Sequence, residues 1–268
     1  FCIRTFKMIT KQKDVYMKKI ILSGANGRMG HVIAANIKNR NDCEIVAGID
    51  INSAKYDDFP IFTSPALCNI AADCIIDFSH PTLCNSVTEY AIHTATPLVM
   101  ATTGLNDEQL ALLKKASELI PVFFSFNMSL GVNLLAGLAK KAAAVLGQGF
   151  DIEIIEKHHN QKVDAPSGTA IMIANAINEQ QNERYHFVYD RHNIHEKRST
   201  DEIGIHSVRG GTIAGEHEVI FAGQDEIITL SHSAMSKEVF ATGAVNAAMF
   251  TAEKHAGMYD MSDLVAEL

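Results

Sequence analysis

Fifteen residues near the middle of the chain, Glu156 to Ala170 (EKHHNQKVDAPSGTA), hold two adjacent histidines, two lysines, an aspartate and a Pro-Ser-Gly-Thr run. Residues of these types support a metal site, an acid/base set, or a solvated polar loop with no chemistry. Adjacent histidines on a strand point to opposite faces, so His158 and His159 do not readily share one ion, and no HxxxH or cysteine partner stands nearby. No metal is expected. The acid/base reading gives a histidine a proton to exchange near neutral pH and Lys162 a compact positive charge. The back half of the stretch adds an anion cradle. Ser167 can cap a helix that begins near Gly168, leaving Gly168 and Thr169 to present backbone N–H groups to a carboxylate, with the Thr169 hydroxyl beside them. Together these groups describe a site for a small carboxylate that gains a hydride and exchanges a proton; a plain loop is the bland alternative.

A hydride needs a donor, and a second stretch offers a place for one. Ser23 to Gly30 (SGANGRMG) sets Gly24, Gly27 and Gly30 between an apolar run and a helical pattern. The GxxGxxG spacing differs from the commoner GxGxxG, and a tight turn needing glycine is the simpler reading. Its context favours a dinucleotide: Gly27 lets backbone approach a pyrophosphate, Gly30 permits close packing of helix on strand, and the helix N-terminus offers free N–H groups. Asp50 ends the second strand-like run, about 20 residues on, where an acid accepts hydrogen bonds from ribose hydroxyls and repels a 2′-phosphate. Ile51 adds no cation, although Arg28 and Lys55 lie near in sequence, so NADH is expected to be preferred over NADPH. Ala101 to Gly104 (ATTG) and Ser125 to Ser129 (SFNMS) close two further strand-like runs and can line the nicotinamide end, or simply form turns.

The elements that must carry these groups emerge from periodicity. Lys19–Ser23, Glu44–Asp50, Cys74–Ser79, Pro97–Gly104 and Pro121–Asn127 read as buried strands, with helical patterns after the first and, capped by Asn106, between the last two. That alternation predicts a Rossmann-like, doubly wound parallel sheet. After Asn127 a long alanine-rich helix (Ser129 to Leu146), the alternating DIEIIEKHH and four glycine-punctuated strand patterns predict a second, α+β domain with a mixed or antiparallel sheet. A helical pattern returns at Ser236 and is expected to pack back on the first domain. The division expected is residues 17–127 with 237–268 for the dinucleotide and 128–236 for substrate and oligomerisation, with hinges at Asn127 to Ser129 and near Ser236.

Composition sets the outer bounds. The 268 residues are 47% hydrophobic and 20% charged with a formal net charge of −8, which argues against a nucleic-acid partner. Five cysteines at positions 2, 43, 68, 74 and 84 form no CxxC pair, consistent with reduced thiols and a cytoplasmic setting. No apolar run is judged to approach the roughly 20 residues needed to span a bilayer, so no membrane is expected. Residues 1–16, mildly basic and ahead of the first strand, read as an extension outside the fold.

GANGRMG, ATTG, FNMSLGVN, HHNQKVDAPSGTA, VRGG and GEHEVIF resemble the dihydrodipicolinate reductase family, over a span from about Met17 to the C-terminus. The resemblance implies NAD(P)H-dependent reduction of 4-hydroxy-tetrahydrodipicolinate, with hydride delivered to ring carbon C4 and water lost, in diaminopimelate and lysine synthesis. It implies His158 as proton donor/acceptor, Lys162 as proton donor, and His159, Gly168 and Thr169 as substrate-binding. For the cofactor it implies Gly24, Ala25, Asn26, Gly27, Arg28, Met29, Asp50, Ala101, Thr102, Thr103, Ser125, Phe126, Asn127 and Met128; it also implies a homotetramer. Ile51, where some members carry a basic residue, departs from the pattern. The rival readings are another two-domain NAD(P)-dependent dehydrogenase acting on a semialdehyde, and a dinucleotide sensor without turnover.

Overall fold

The computed structural model describes residues 16–268; the expected extension lies outside the described residues except for its last position. The first half alternates β1 (Lys18–Ser23), α1 (Arg28–Lys38), β2 (Cys43–Ile49), β3 (Ile61–Phe62), β4 (Cys74–Asp77), α2 (Cys84–Thr94), β5 (Leu98–Met100), α3 (Asp107–Ala116) and β6 (Pro121–Phe124). The strands pair in parallel, and β1 stands between β2 and β4, so the winding direction switches beside β1. Ile20, Ile21, Leu22, Ile75, Ile76 and Leu98 are all buried, as a parallel sheet covered on both faces demands of its central strands. Asn106 caps α3 as expected: its Oδ1 accepts from the Gln109 N–H at 2.9 Å while the Gln109 side chain returns the bond.

The second half is built on α4 (Leu130–Leu146), β7 (Asp151–His158), α5 (Gly168–Gln180), β8 (His186–Val188), β9 (Glu202–Arg209), β10 (Gly215–Ala222) and β11 (Ile227–Ala234). Its sheet runs β11-β10-β7-β9-β8, parallel between β7, β9 and β8 and antiparallel between β7, β10 and β11, which is the mixed sheet expected. Strict alternation along β7 buries Ile152, Ile154, Glu156 and His158 on one face, where Ile152 and Ile154 pack in a core with Leu135 and Ala139 of α4 and Ile173 and Ile177 of α5. Two apolar residues and then two polar ones on one buried face mark where the core gives way to the site. The opposite face carries an ion cluster in which Glu153 meets Arg191, Arg198 and His206.

The chain then returns through α6 (Glu238–Thr251), which packs on α1 and on β4, β5 and β6. Sequence periodicity missed the last two elements: β12 (Gly257–Tyr259) joins the edge of β6, and α7 (Met261–Glu267) packs on α4 across the gap between the two sheets. One expectation needs correcting. Among the described residues, Leu130–Gly149, α4 with its succeeding turn, is 20 residues long and apolar enough to cross a membrane by length and composition. Leu135, Ala136, Ala139 and Ala143 on one face are buried within the protein while Leu134, Leu138 and Val145 are exposed, and Lys140 and Lys141 interrupt the run. Cys43, Cys68, Cys74 and Cys84 are buried free thiols.

Candidate active site

The acid/base candidate takes its setting from strand alternation. Two residues apart on β7, Glu156 and His158 share the buried face, and His158 Nδ1 lies 2.6 Å from Glu156 Oε2. Glu156 is fully buried, and its charge is met by Arg209, the last residue of β9, whose Nη1 and Nη2 donate to Oε2 and Oε1 at 2.8 and 2.7 Å. Burial alone would raise the Glu156 carboxyl, but the bonds from Arg209, the Ser207 hydroxyl, His158 and the Ser167 N–H outweigh it and hold the group down to about 2. Burial pushes the His158 imidazole below its ordinary value against the pull of Glu156, with Lys162 and Arg209 pushing the same way as burial.

The predicted cap forms at the start of α5. Ser167 Oγ accepts from the Ala170 N–H at 3.1 Å, while the Ser167 N–H donates to Glu156 Oε1 at 3.1 Å. Gly168 and Thr169 therefore begin the helix with their N–H groups at its positive end. His217 on β10, which sequence reasoning did not single out, lies 3.0 Å from Ser167 Oγ and packs edge-on to His158 with ring centroids 5.3 Å apart. Burial, then the neighbouring His158, pushes His217 down to about 4, so it sits neutral behind the cap. Lys162 pairs with Asp164 at 2.9 Å, and the Asp164 carbonyl accepts from Arg209 at 2.6 Å, tying the lysine loop to the same guanidinium.

His158, Lys162 and the start of α5 lie on the wall of a cleft of about 1020 Å³ that also runs along α4 and α5, at the upper end of the range for small-molecule sites. His158, Lys162, Ser167, Gly168 and Thr169 face Ser125, Phe126 and Asn127 from the loop after β6, with residues of β12 and α7 closing one end. Asn127 reaches across: its Nδ2 donates to Thr169 Oγ1 at 2.9 Å, and its Oδ1 accepts from the Ser129 N–H at 2.8 Å. His159 lies one position beyond β7, half-buried, and is not among the residues lining the cleft.

The remaining predicted positions sit along the carboxyl edge of the parallel sheet, beside the cleft and not in its lining. Gly24 has φ +80°, and a Cβ there would stand 2.5 Å from the Phe78 carbonyl oxygen, so the turn after β1 requires glycine. Asp50 faces that turn, accepting from the Asn26 N–H at 2.9 Å and the Asn52 N–H at 3.0 Å. Gly27 and Arg28 are exposed at the start of α1, Met29 is partly buried, and Ala25, Ala101, Thr102 and Met128 are buried, which leaves the last four only backbone to offer a ligand. Thr102 spends its hydroxyl on the buried Asp77, at 2.6 Å, while Thr103 and Phe126 are exposed.

Comparison with known proteins bears on this geometry. The family model for the dihydrodipicolinate reductase N-terminus matches residues 18–128, and that for its C-terminus matches residues 131–265. The chain belongs to the dihydrodipicolinate reductase family. Among members of the reductase family, a 4-hydroxy-tetrahydrodipicolinate reductase of Caldanaerobacter subterraneus subsp. tengcongensis is 51% identical over 93% of this chain and 98% of its own. One from Clostridium novyi is 47% identical over the same shares. A dipicolinate-bound dihydrodipicolinate reductase from Paenisporosarcina sp. TG-14 superimposes with a TM-score of 0.76 at 27% identity, covering 91% of this chain and 97% of that one. A diaminopimelate dehydrogenase of Corynebacterium glutamicum, at 10% identity and a TM-score of 0.54, shares the fold alone.

Proposed function

We propose that the chain catalyses NAD(P)H-dependent reduction of 4-hydroxy-tetrahydrodipicolinate to tetrahydrodipicolinate with loss of water, in diaminopimelate and lysine synthesis. The observation that carries the reading is the convergence of His158, Lys162 and the N-terminus of α5 on one wall of a cleft between a dinucleotide-type sheet and a second sheet. A dicarboxylate entering an acidic protein needs local positive groups, and Lys162 with the Gly168 and Thr169 N–H groups supplies them. His159 is the rim group proposed to reach the substrate from outside the present lining.

The carboxyl edge of the parallel sheet fits a dinucleotide. Gly24 has no room for a side chain, Gly27 leaves backbone open at the start of α1, and each Asp50 oxygen has a lone pair beyond its one backbone bond. Gly24 to Met29, Asp50, Ala101 to Thr103 and Ser125 to Met128 are proposed to hold it, through backbone where the side chains are buried. When bound, the reduced nicotinamide supplies the hydride. The net reaction also consumes a proton and releases water, and His158 and Lys162, on the wall formed by β7 and the start of α5, are the groups proposed to supply that proton. NADH is the proposed preference, because the exposed Ile51 beside Asp50 offers nothing to a 2′-phosphate.

The division proposed is residues 17–127 with 237–268 for the cofactor and 128–236 for substrate and assembly, with closure about Asn127 to Ser129 excluding water. A cytoplasmic homotetramer is proposed; the face of the second sheet that carries Ile155, Val208 and Ile220, away from α4 and α5, supports pairing between subunits. The test is nicotinamide absorbance with the condensation product of pyruvate and aspartate semialdehyde. Consumption with either cofactor supports the reading; binding of NADH without turnover, or turnover of a free semialdehyde only, overturns it.

A further inference from the structure

We propose that Glu156 and Arg209 are a positioning pair for the acid/base step: the carboxylate fixes His158 as its Nδ1–H tautomer with Nε2 open to the cleft, and the guanidinium sets how strongly that carboxylate holds a second proton on the ring. The inference rests on the reading of His158 as the acid/base group.

The hydrogen bonds around the carboxylate carry it. Glu156 is fully buried, with His158 Nδ1 and Arg209 Nη1 on Oε2, Arg209 Nη2 and the Ser167 N–H on Oε1, and the Ser207 hydroxyl alongside from the paired strand. Two carboxylate oxygens have about four lone-pair sites, so these donors saturate them. A carboxylate gripped by both arms of an arginine stays ionised and has no proton to give, which makes Nδ1 the donor in the 2.6 Å bond. The ring lone pair then lies on Nε2, which makes no hydrogen bond among the described residues. A Cβ at position 215 would stand 3.1 Å from that nitrogen, so Gly215 keeps the space beside it clear.

The fold makes the pair obligatory. Parallel register sets His158 beside Arg209 and Glu156 beside Ser207, so the guanidinium folds back by two positions to reach the carboxylate. Arg209 also donates to the Val208 and Asp164 carbonyls at 2.8 and 2.6 Å, and the Gly210 N–H donates to the His158 carbonyl at 2.9 Å. One ion pair thus joins β7, the lysine loop and the start of α5.

The charges that face His158 act in both directions. Glu156 draws a proton to the ring; Lys162, Arg209 and the burial of the imidazole oppose it, and His217 stands edge-on behind it with His232 beyond on β11. Asp164 is paired to Lys162. Burial, Lys162 and Arg209 favour the neutral ring against the pull of Glu156, and the negative charge of a bound dicarboxylate shifts the balance toward the protonated form that donates from Nε2.

The test is a histidine-selective nitrogen NMR titration of the full, ligand-free chain, with the His158 signal assigned by its loss in His158→Asn. The expected wild-type pattern is a neutral ring protonated at Nδ1. Glu156→Gln should lower the His158 midpoint by about one pH unit and Arg209→Met should raise it by about as much, while Arg209→Lys stays near wild type. In the turnover assay kcat should fall in Glu156→Gln with KM little changed, and the pH limb of kcat/KM should move with the NMR midpoint. A purely structural pair moves neither midpoint, or moves both the same way, and either result overturns the proposal. If Glu156→Gln does not fold, the contrast between Arg209→Met and Arg209→Lys carries the same test. Shifted midpoints with unchanged turnover in every variant would instead sink the reading of His158, and with it the pair's catalytic role.

Discussion

Gly243 lies on the buried side of α6 against the crossing between the two sheets, and an alanine there tests how tightly that crossing is held. A Cβ at this position would stand 2.8 Å from the carbonyl carbon of Met128 and overlap its oxygen, inside the 3.0 Å that real Cβ contacts respect. The neighbour is backbone and cannot rotate away, so the overpacking penalty should reach about 3 kcal/mol. Alanine's better helix propensity returns about 1 kcal/mol, leaving a net loss of about 2 kcal/mol and a thermal midpoint lower by roughly 4–8 °C. The matched control is Gly137→Ala at an exposed position of α4, where nothing stands within 4 Å of the added Cβ. There propensity acts alone and the midpoint should rise by about 2–4 °C. Because Met128 is the next residue after Asn127, which bonds Thr169 across the cleft, Gly243→Ala should also raise KM for the substrate. Scanning calorimetry of both variants decides the matter: equal shifts, or a stabilised Gly243→Ala, would refute the close-contact reasoning.

Lys162→Ala should raise KM for the dicarboxylate as well as lower kcat, since the lysine is proposed as both counter-charge and proton source; steady-state kinetics with KM unchanged would count against the first role. Comparison of kcat/KM for the two cofactors should favour NADH, and Ile51→Arg should move the ratio toward NADPH by providing a partner for the 2′-phosphate; a strong NADPH preference in the wild type would contradict the role given to Ile51 and Asp50. Acid unfolding should show His217: its folded pKa of about 4 lies below the ordinary 6.5, so the unfolded chain takes up the proton first, and stability falls as pH drops from 6.5 to 4 by up to about 3 kcal/mol. Urea midpoints against pH should lose part of that slope in His217→Leu, and an unchanged slope would place the acid sensitivity elsewhere.

The parts legible in the sequence are those whose pattern is set by burial. The runs at Ile20–Leu22 and Cys74–Ile76 read as buried parallel strands because helices on both faces favour apolar side chains there, and β7 is marked by its alternation. α2 is hard to see because CNSVTEYAIHT has little apolar contrast, and β12, three residues long, is a strand only because β6 offers an edge. Within the site, His158, Lys162 and the Ser167 cap are visible as a local cluster. Arg209 is not, since it meets Glu156 through strand register 53 positions away. A sequence signal for Glu156 and His217 does exist: period-two spacing puts Glu156 on the face of His158, and GEHEVIF puts His217 at an inward position. The expectation that no run reaches membrane length fails at α4 for a different reason: its lysines break the run to the eye, while its alanine- and leucine-rich composition still averages apolar enough over 20 residues.

At the centre stands the role proposed for His158, that of handling the proton of a reduction in this cleft. Its most direct test tracks NADH absorbance with the enzymatically generated condensation product, for the wild type and for His158→Ala under saturating substrate. Steady oxidation of NADH by the wild type is expected, with a fall in kcat of about 10²-fold or more in the variant. Turnover within about threefold of wild type, less than 1 kcal/mol of transition-state free energy, would contradict it.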